Sequence, residues 1–274
     1  MLPRAHRIVA HRRLEPADSL DFFPTPPWAT RALFVFVLGR RGFERLTVEE
    51  PCCGEGHMAY ALKDFFGEVR SSDVFPYGFG DVRDYLEPAA WQGVDTPDWT
   101  VMNPPFAEKS LAFMAQALAR SRVGVAAFVR STQTEGIRRY EQIFSRFRPA
   151  IIAQFVERVP LHRGRWIPDG DTMTAYCWIV WRIDQPATRT DFVWIPPICR
   201  GTLHYARDLA ELPWSHPPEK ITKPKRRLAR TRGRHLFRGR ALPSAASADL
   251  PEAASSSRIP ATPTGSHFAG ECSR

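Results

Sequence analysis

Apolar residues recur along this chain in two patterns, one with the spacing of helices and one in the short runs typical of buried strands. The helical spacing predicts helices over Trp28 to Leu38, His57 to Phe66, Glu108 to Ser121 and Thr134 to Phe147. The short apolar runs predict strands that end near Val48, at Asp73 and at Met102, and further strands over Val123 to Val129, Ala150 to Val159 and Met173 to Ile183. Strands and helices therefore alternate, which predicts an α/β fold with a doubly wound sheet.

The first predicted strand leads into the glycine loop Glu50-Pro51-Cys52-Cys53-Gly54-Glu55-Gly56. Strand, glycine loop and helix in this order are typical of the nucleotide-binding start of a doubly wound sheet. The third glycine of the dinucleotide fingerprint is replaced by Ala59, and Glu50 would repel a pyrophosphate. The loop therefore indicates a ligand that carries an amine or a positive charge.

A second loop, Asn103-Pro104-Pro105-Phe106, follows the predicted strand that ends at Met102. Its two prolines fix φ and donate no backbone hydrogen bond, and the residue before a proline is held extended. The loop presents an amide side chain, carbonyl oxygens and an aromatic ring. These groups suit a planar ring with an exocyclic NH2, which can donate two hydrogens and stack.

Together with an upstream segment, these loops resemble the S-adenosylmethionine-dependent N6-adenine DNA methyltransferases, in particular those of the small phage and prophage type. Three motifs in order carry the resemblance, which covers residues 20 to 183: Asp21-Phe22-Phe23-Pro24-Thr25-Pro26, then Glu50-Pro51-x-x-Gly54-x-Gly56, then Asn103-Pro104-Pro105-Phe106. The resemblance implies a Rossmann-like methyltransferase sheet, mostly parallel with an antiparallel C-terminal strand pair. It also implies a cytoplasmic enzyme, bacterial or prophage-encoded.

The same resemblance implies that S-adenosylmethionine is the methyl donor and that N6 of an adenine extruded from DNA is the acceptor. The catalytic contacts it implies are Asn103, Pro104, Pro105 and Phe106. The cofactor contacts it implies are Pro24, Thr25, Glu50, Pro51, Gly54, Gly56, Asp73, Val74, Asp84 and Tyr85. Thr25 would meet the methionine carboxylate, Glu50 the methionine amine, Asp73 the ribose hydroxyls and Asp84 the adenine amine. The alternatives are that Asp73 caps a helix and that Asp84 is a surface charge.

The segment from Pro160 to Asp171 lies between the last two predicted strands and borders the target-base pocket in the family. Arg163 and Arg165 are predicted to hold phosphates, and Trp166 to support the extruded base. The alternative is a surface hairpin loop.

Positive charge is concentrated near the end of the sequence. Residues 220–240 contain ten Lys or Arg and no acid, so subtracting them from the net charge of +9 leaves −1 elsewhere. Such a run binds phosphate backbones with little sequence information, and its predicted contacts are Lys225, Arg226, Arg227 and Arg230. The alternative is a solubilising tail.

The predicted organisation has five parts: an irregular lead-in over 1–18, a methyltransferase domain over 19–200, a Pro-rich linker over 201–219, the basic tail over 220–240 and an Ala/Ser/Pro tail over 241–274 that is predicted to be disordered. Residues 184–219 are too few for a large target-recognition domain. Sequence specificity is therefore expected to be low or to come from short loops.

Several classes of protein are disfavoured by composition. The five cysteines form no C-x-x-C pair, which predicts neither a disulfide framework nor a metal site and favours a reducing cytosol. No run of 18 apolar residues predicts a membrane span. The remaining alternatives are an RNA-base or protein-glutamine N-methyltransferase, and a non-catalytic DNA-binding protein with a decayed methyltransferase fold.

Overall fold

The computed structural model describes residues 21–106 and 109–216 of the chain. Its strands are β1 Thr47–Glu50, β2 Glu68–Asp73, β3 Asp81–Val82, β4 Trp99–Met102, β5 Gly124–Arg130, β6 Ile151–Phe155, β7 Tyr176–Arg182 and β8 Asp191–Ile195. Within the described ranges they form one sheet in the order β3-β2-β1-β4-β5-β7-β6-β8. β7 runs antiparallel to β5 and β6, and the other neighbouring pairs are parallel. This confirms the predicted doubly wound, Rossmann-like sheet with an antiparallel C-terminal strand pair.

The helices of the described residues are α1 Pro27–Leu33, α2 His57–Leu62, α3 Lys109–Arg120, α4 Ile137–Arg139, α5 Cys199–Leu203 and α6 Ala206–Glu211. π-helical turns cover Phe34–Leu38 and Tyr140–Phe144, and 3-10 turns cover Pro88–Trp91 and Ser131–Thr134. Pro27 opens α1, where its missing N–H has no helical partner to lose.

Both faces of the central strands β4, β5 and β7 are buried, which explains their nearly continuous apolar runs. On β7, Trp178 faces the core that holds α1, and its indole N–H donates to Ala29 O at 3.1 Å. The next residue, Ile179, faces the second core, which contains Met114 of α3. The alternating faces of one strand therefore join the two cores.

The strand order reverses between β1 and β4, which lie side by side. Ligands of doubly wound sheets bind outside the carboxyl ends of the strands at such a switch point. The glycine loop follows β1 and the Asn103–Phe106 loop follows β4, so the fold brings both to this point.

The predicted helix over Thr134 to Phe147 is not continuous. A 3-10 turn, the three residues of α4 and a π-helical turn replace it. Gly136 has φ +106, outside the helical region, and Ile137 and Tyr140 are exposed. The prediction of one amphipathic helix over Thr134 to Phe147 was therefore wrong.

The segment 201–219, predicted to be a linker, contains most of α5 and all of α6 in its described part. Asp208 of α6 is fully buried and forms a two-pronged ion pair with buried Arg31 of α1, at 2.7 and 2.8 Å. Arg31 also donates to Asp64 at 2.6 Å and to Leu203 O at 3.0 Å. Residues 201–212 therefore belong to the folded domain. The predicted parts over 1–18, 220–240 and 241–274 lie outside the described residues.

Candidate functional site

One cavity of about 550 Å³ lies at the switch point and is bordered by three segments of the chain: Phe22–Thr25, the glycine loop and the Asn103–Phe106 loop. The predicted site residues that line it are Pro24, Thr25, Glu50, Pro51, Asp73, Val74, Asp84, Tyr85, Asn103, Pro105, Phe106 and Arg163. Gly54, Gly56 and Pro104 lie in the same loops without lining the cavity. The predicted cofactor contacts and catalytic contacts therefore share one space.

Asn103 is held with its amide in a defined orientation. Its Nδ2 donates to Phe23 O at 2.9 Å and to Thr25 Oγ1 at 3.0 Å. A carbonyl oxygen can only accept, so the nitrogen must face Phe23. Oδ1 is left buried and, among the described residues, without a hydrogen-bond partner. An acceptor of this kind fits a ligand that donates an N–H.

Glu50, at the end of β1, supplies a second acceptor to the same cavity. Its Oε2 is buried and has no partner in the described part of the chain. Burial raises the pKa of Glu50 well above its usual value, a backbone hydrogen bond from Ala59 acts against this, and the charge of Asp73 raises it further. Burial therefore disfavours the ionised form of Glu50, and a cationic ligand group would stabilise that form by pairing with the carboxylate.

His57, the first residue of α2, lines the cavity and was not predicted as a site residue. Its Nε2 lies 2.9 Å from Pro213 O, which can only accept, so Nε2 carries the hydrogen. Nδ1 is then a buried acceptor, and no described residue pairs with it. Burial lowers the pKa of His57 to about 4, which keeps the ring neutral. The contact with Pro213, 156 positions away, could not be found in the sequence.

Asp73 closes the glycine loop from the end of β2. It accepts from Gly54 N at 2.9 Å and from Phe75 N at 3.0 Å. Burial raises the pKa of Asp73, and these backbone hydrogen bonds act against the rise. Gly54 has φ +51, and a Cβ there would collide with the Phe22 ring, so this position requires glycine.

Phe106 presents its ring beside Asn103. The Phe23 ring packs edge-on against it with centroids 4.8 Å apart, and the Arg130 guanidinium lies 4.5 Å from its centroid. Aromatic and cationic neighbours therefore fix the ring that was predicted to stack on a base.

Two of the predicted cofactor residues differ in exposure. Asp84 is exposed, and its Oδ1 accepts from Leu86 N at 2.9 Å. The Tyr85 side chain is buried in the second core, where its ring packs against Trp91 and Phe113. Asp84 can therefore meet a ligand at the mouth of the cavity, whereas most of Tyr85 supports the wall.

The predicted role of Trp166 is corrected by its burial. Only 1% of the side chain is exposed, since its ring packs against the rings of His57 and His204, so it offers no surface to a base. Arg163 is exposed and lines the cavity, whereas Arg165 is half-buried and pairs with His162 in an isolated β-bridge. Lys225, Arg226, Arg227 and Arg230 lie outside the described residues.

The described residues contain no group of three or more His, Cys, Asp or Glu side chains that could hold a metal ion. Over the same ranges, no helix has the length and apolarity needed to cross a membrane. Three residues that line the cavity carry buried acceptor atoms with no hydrogen-bond partner among the described residues: Asn103 Oδ1, Glu50 Oε2 and His57 Nδ1. These acceptors suit two ligands that bind together, one with a cationic group and the other with an amine.

No protein-family model matches the chain, and no curated protein matches it. Among solved structures, the chain is similar to the modification subunit of a proposed type I restriction enzyme from Vibrio vulnificus YJ016, with 14% identity and a TM-score of 0.45 over 70% of this chain and 51% of that one. It is similar to a type I restriction-modification system methyltransferase subunit from Streptococcus thermophilus, with 10% identity and a TM-score of 0.47 over 69% and 50%. It is also similar to a proposed RNA methyltransferase from Pyrococcus horikoshii, with 19% identity and a TM-score of 0.43 over 67% and 100%.

The chain spans about half the length of the Vibrio and Streptococcus structures, at 51% and 50%. All three TM-scores are below 0.5.

Proposed function

We propose that this chain is an S-adenosylmethionine-dependent DNA methyltransferase that methylates the exocyclic N6 of adenine. The observation that carries the proposal is the orientation of Asn103, whose unpartnered Oδ1 shares a cavity with the unpartnered Oε2 of Glu50. One acceptor suits the amine that receives the methyl group, and the other suits the cation of the donor.

The residues of the cavity fit S-adenosylmethionine, which carries an ammonium group and supplies an electrophilic methyl group on a sulfonium sulfur. Glu50 would hold the ammonium, and His57 Nδ1 is a neutral acceptor on the same wall. Thr25 accepts from Asn103 Nδ2 and keeps its own hydroxyl hydrogen for the methionine carboxylate. Asp84, exposed at the mouth, is suited to the adenine amine of the cofactor.

Asn103 would activate the acceptor by accepting one hydrogen of the exocyclic amine through Oδ1, while a backbone carbonyl of the Asn103–Phe106 loop would accept the other. The lone pair of an adenine amine is delocalised into the ring. Two such hydrogen bonds favour a tetrahedral nitrogen whose lone pair can form the new N–C bond as the S–C bond breaks. The methylated amine is acidic and loses its proton to water, so no strong base is required. Catalysis then comes from positioning and electrostatics.

Phe106 would provide the stacking surface for an adenine extruded from the helix. Extrusion costs a few kcal/mol, and stacking on an aromatic ring returns about 1–3 kcal/mol. DNA is favoured over other carriers of a planar NH2 by the resemblance of the Asp21–Pro26 segment. The basic run over 220–240 favours a nucleic acid over a protein.

The test is transfer of isotopically labelled methyl from S-adenosylmethionine to unmethylated DNA, followed by digestion and mass spectrometry of the nucleosides. N6-methyladenine is the expected product. RNA and a glutamine-containing protein are offered in parallel reactions, and labelling of either one instead of DNA would replace the proposed substrate. Absence of cofactor binding would support a non-catalytic DNA-binding protein.

A further inference from the structure

Arg130 ends β5, the strand next to β4 in the sheet, and its side chain is exposed at the carboxyl edge. Its guanidinium lies over the Phe106 ring, 4.5 Å from the centroid. The Tyr176 hydroxyl is a second neighbour: burial raises the pKa of Tyr176, while the charge of Arg130 and a hydrogen bond with it act against the rise. Tyr176 is fixed in turn, because it stacks on Phe128 with centroids 5.1 Å apart.

Arg130 differs from two other arginines of the described residues, Arg182 and Arg189, each of which has a carboxylate partner. Arg182 pairs with Asp184 at 2.9 Å, and Arg189 pairs with Asp191 at 3.2 Å. Arg130 forms no salt bridge with any residue in the described ranges 21–106 and 109–216. An exposed cation that is held against an aromatic ring and has no salt bridge within these ranges is available to an anionic ligand.

Arg130 lies on the side of the Phe106 ring that faces away from the cavity. Phe106 lines the cavity and Arg130 does not. Arg130 therefore backs the ring from outside, and the part of the ring that borders the cavity is left for a stacked ligand.

We propose that Arg130 is a positioning residue for the target nucleotide: its guanidinium plane backs Phe106, and its N–H groups bind a phosphate of the nucleic acid next to the extruded base. This inference rests on the proposed function. A guanidinium that stacks uses its face, and its five N–H donors lie in its plane. One side chain can therefore support the stacking ring and hold the backbone that carries the base.

Two substitutions separate the two parts of this role. Arg130→Gln keeps a planar group without charge, so the slope of log affinity against log salt should fall by about 0.9 for duplex DNA, with a higher KM for DNA. Arg130→Lys keeps the charge but has no plane. We expect its salt slope to stay at the wild-type value while kcat falls roughly two- to fivefold, about the size of an exposed contact between a cation and a ring, because an ammonium can lie over Phe106 but cannot stack on it as a plane.

The matched control is Arg189→Gln, which removes the same charge from a side chain that is 85% exposed, just before β8. β8 runs parallel to β6, so this position lies at the amino edge of the sheet, away from the cavity. Its salt slope, KM and kcat should stay within error of the wild-type values. Cofactor affinity, measured by calorimetry, should be unchanged in all three variants.

Wild-type salt slope and kcat in both Arg130 variants would overturn the inference while leaving the proposed function intact. Equal loss of cofactor affinity and activity in both would also overturn it, because that result indicates a structural role. If the wild-type protein transfers no methyl to DNA in the same assay, the proposed function fails, and the inference fails with it.

Discussion

The Asn103 side chain is fixed by acceptors from a segment 78 to 80 positions earlier in the chain. Asn103 is also the sole asparagine among the 274 residues of the sequence. Aspartate at this position would place an acceptor-only oxygen against Phe23 O, where the structure has a donor. The amide is therefore required both for its own placement and for the acceptor that it turns towards the cavity.

Asn103→Ala should lower kcat for methyl transfer roughly 10²–10³-fold, the range seen when one hydrogen-bonding group is removed from a reacting centre. The affinity for S-adenosylmethionine should change little, because the acceptors on the cofactor side are Glu50 and His57. Single-turnover transfer and calorimetric binding are the two measurements. Gln185→Ala, which removes an exposed amide, is the control. Loss of cofactor binding in Asn103→Ala would contradict the assigned role.

Glu50→Gln should weaken S-adenosylmethionine binding roughly 10- to 100-fold, as expected when a hydrogen bond to a charged group is lost. Because burial raises the pKa of Glu50, the unliganded carboxyl stays protonated at pH values where an exposed glutamate is ionised. Binding of a cation favours the ionised form, so wild-type affinity should fall as pH decreases through the raised pKa, and binding should release a proton.

Calorimetry in buffers of different ionisation enthalpy would measure this proton, and Glu50→Gln should abolish its release. The raised pKa also means that ionisation of Glu50 destabilises the unliganded fold as pH rises above the usual value, so the variant should be at least as stable as wild type at neutral pH. Glu55→Gln, in the same loop but outside the cavity, is the control for cofactor affinity and proton release. A pH-independent wild-type affinity would argue against Glu50 as the cation partner.

At the scale of elements, the loops after β1 and β4 were predictable because their chemistry is local. Glycine and proline restrict the backbone wherever they occur, and strands buried on both faces give continuous apolar runs. β8 was not predicted. Phe192 and Trp194 are exposed on this edge strand, so the order of apolar and polar residues along it does not match the order of buried and exposed positions. The five residues of α5 and the six of α6 are too few to show a helical period.

The remaining features of the site depend on contacts between distant parts of the chain. The tautomer of His57 is set by Pro213, and the burial of Trp166 by His57 and His204. Neither contact has a local signal in sequence. This is why Trp166 was wrongly assigned to the nucleic acid, and why His57 was missed.

Gly54→Ala should weaken cofactor binding at least about tenfold, because its Cβ would collide with the Phe22 ring, which lines the cavity. The left-handed backbone at this position would add a stability cost of about 1–2 kcal/mol. Gly42→Ala is the matched control: Gly42 also has positive φ, at +98, but a Cβ there meets nothing within 4 Å. We expect backbone strain alone in the control, and unchanged cofactor affinity by calorimetry. Equal affinities in the two variants would contradict the steric argument.

At the scale of the whole molecule, a buried ion pair joins the first and last helices of the described residues, α1 and α6. Arg31 and Asp208 are buried and 177 positions apart, and Arg207 adds a partly exposed pair with Asp64 at 2.7 Å. Removal of one member of a buried pair leaves an uncompensated charge.

Asp208→Ala should therefore lower the free energy of unfolding by about 3–5 kcal/mol, measured by urea denaturation. Asp184→Ala removes an exposed partner of Arg182 and should cost at most about 1 kcal/mol. A similar small cost in both variants would mean that Asp64 alone compensates Arg31.

The Arg31–Asp208 pair also bears on how the protein is made. Arg31 is synthesised early and Asp208 much later. During most of translation, the nascent domain therefore carries a cation that is buried in the folded protein but lacks its partner Asp208. The sheet can begin to assemble during this time, but packing of α1 against its neighbours would bury the Arg31 charge without Asp208 until α6 has emerged. We therefore expect the last step of folding on the ribosome to wait for residue 208.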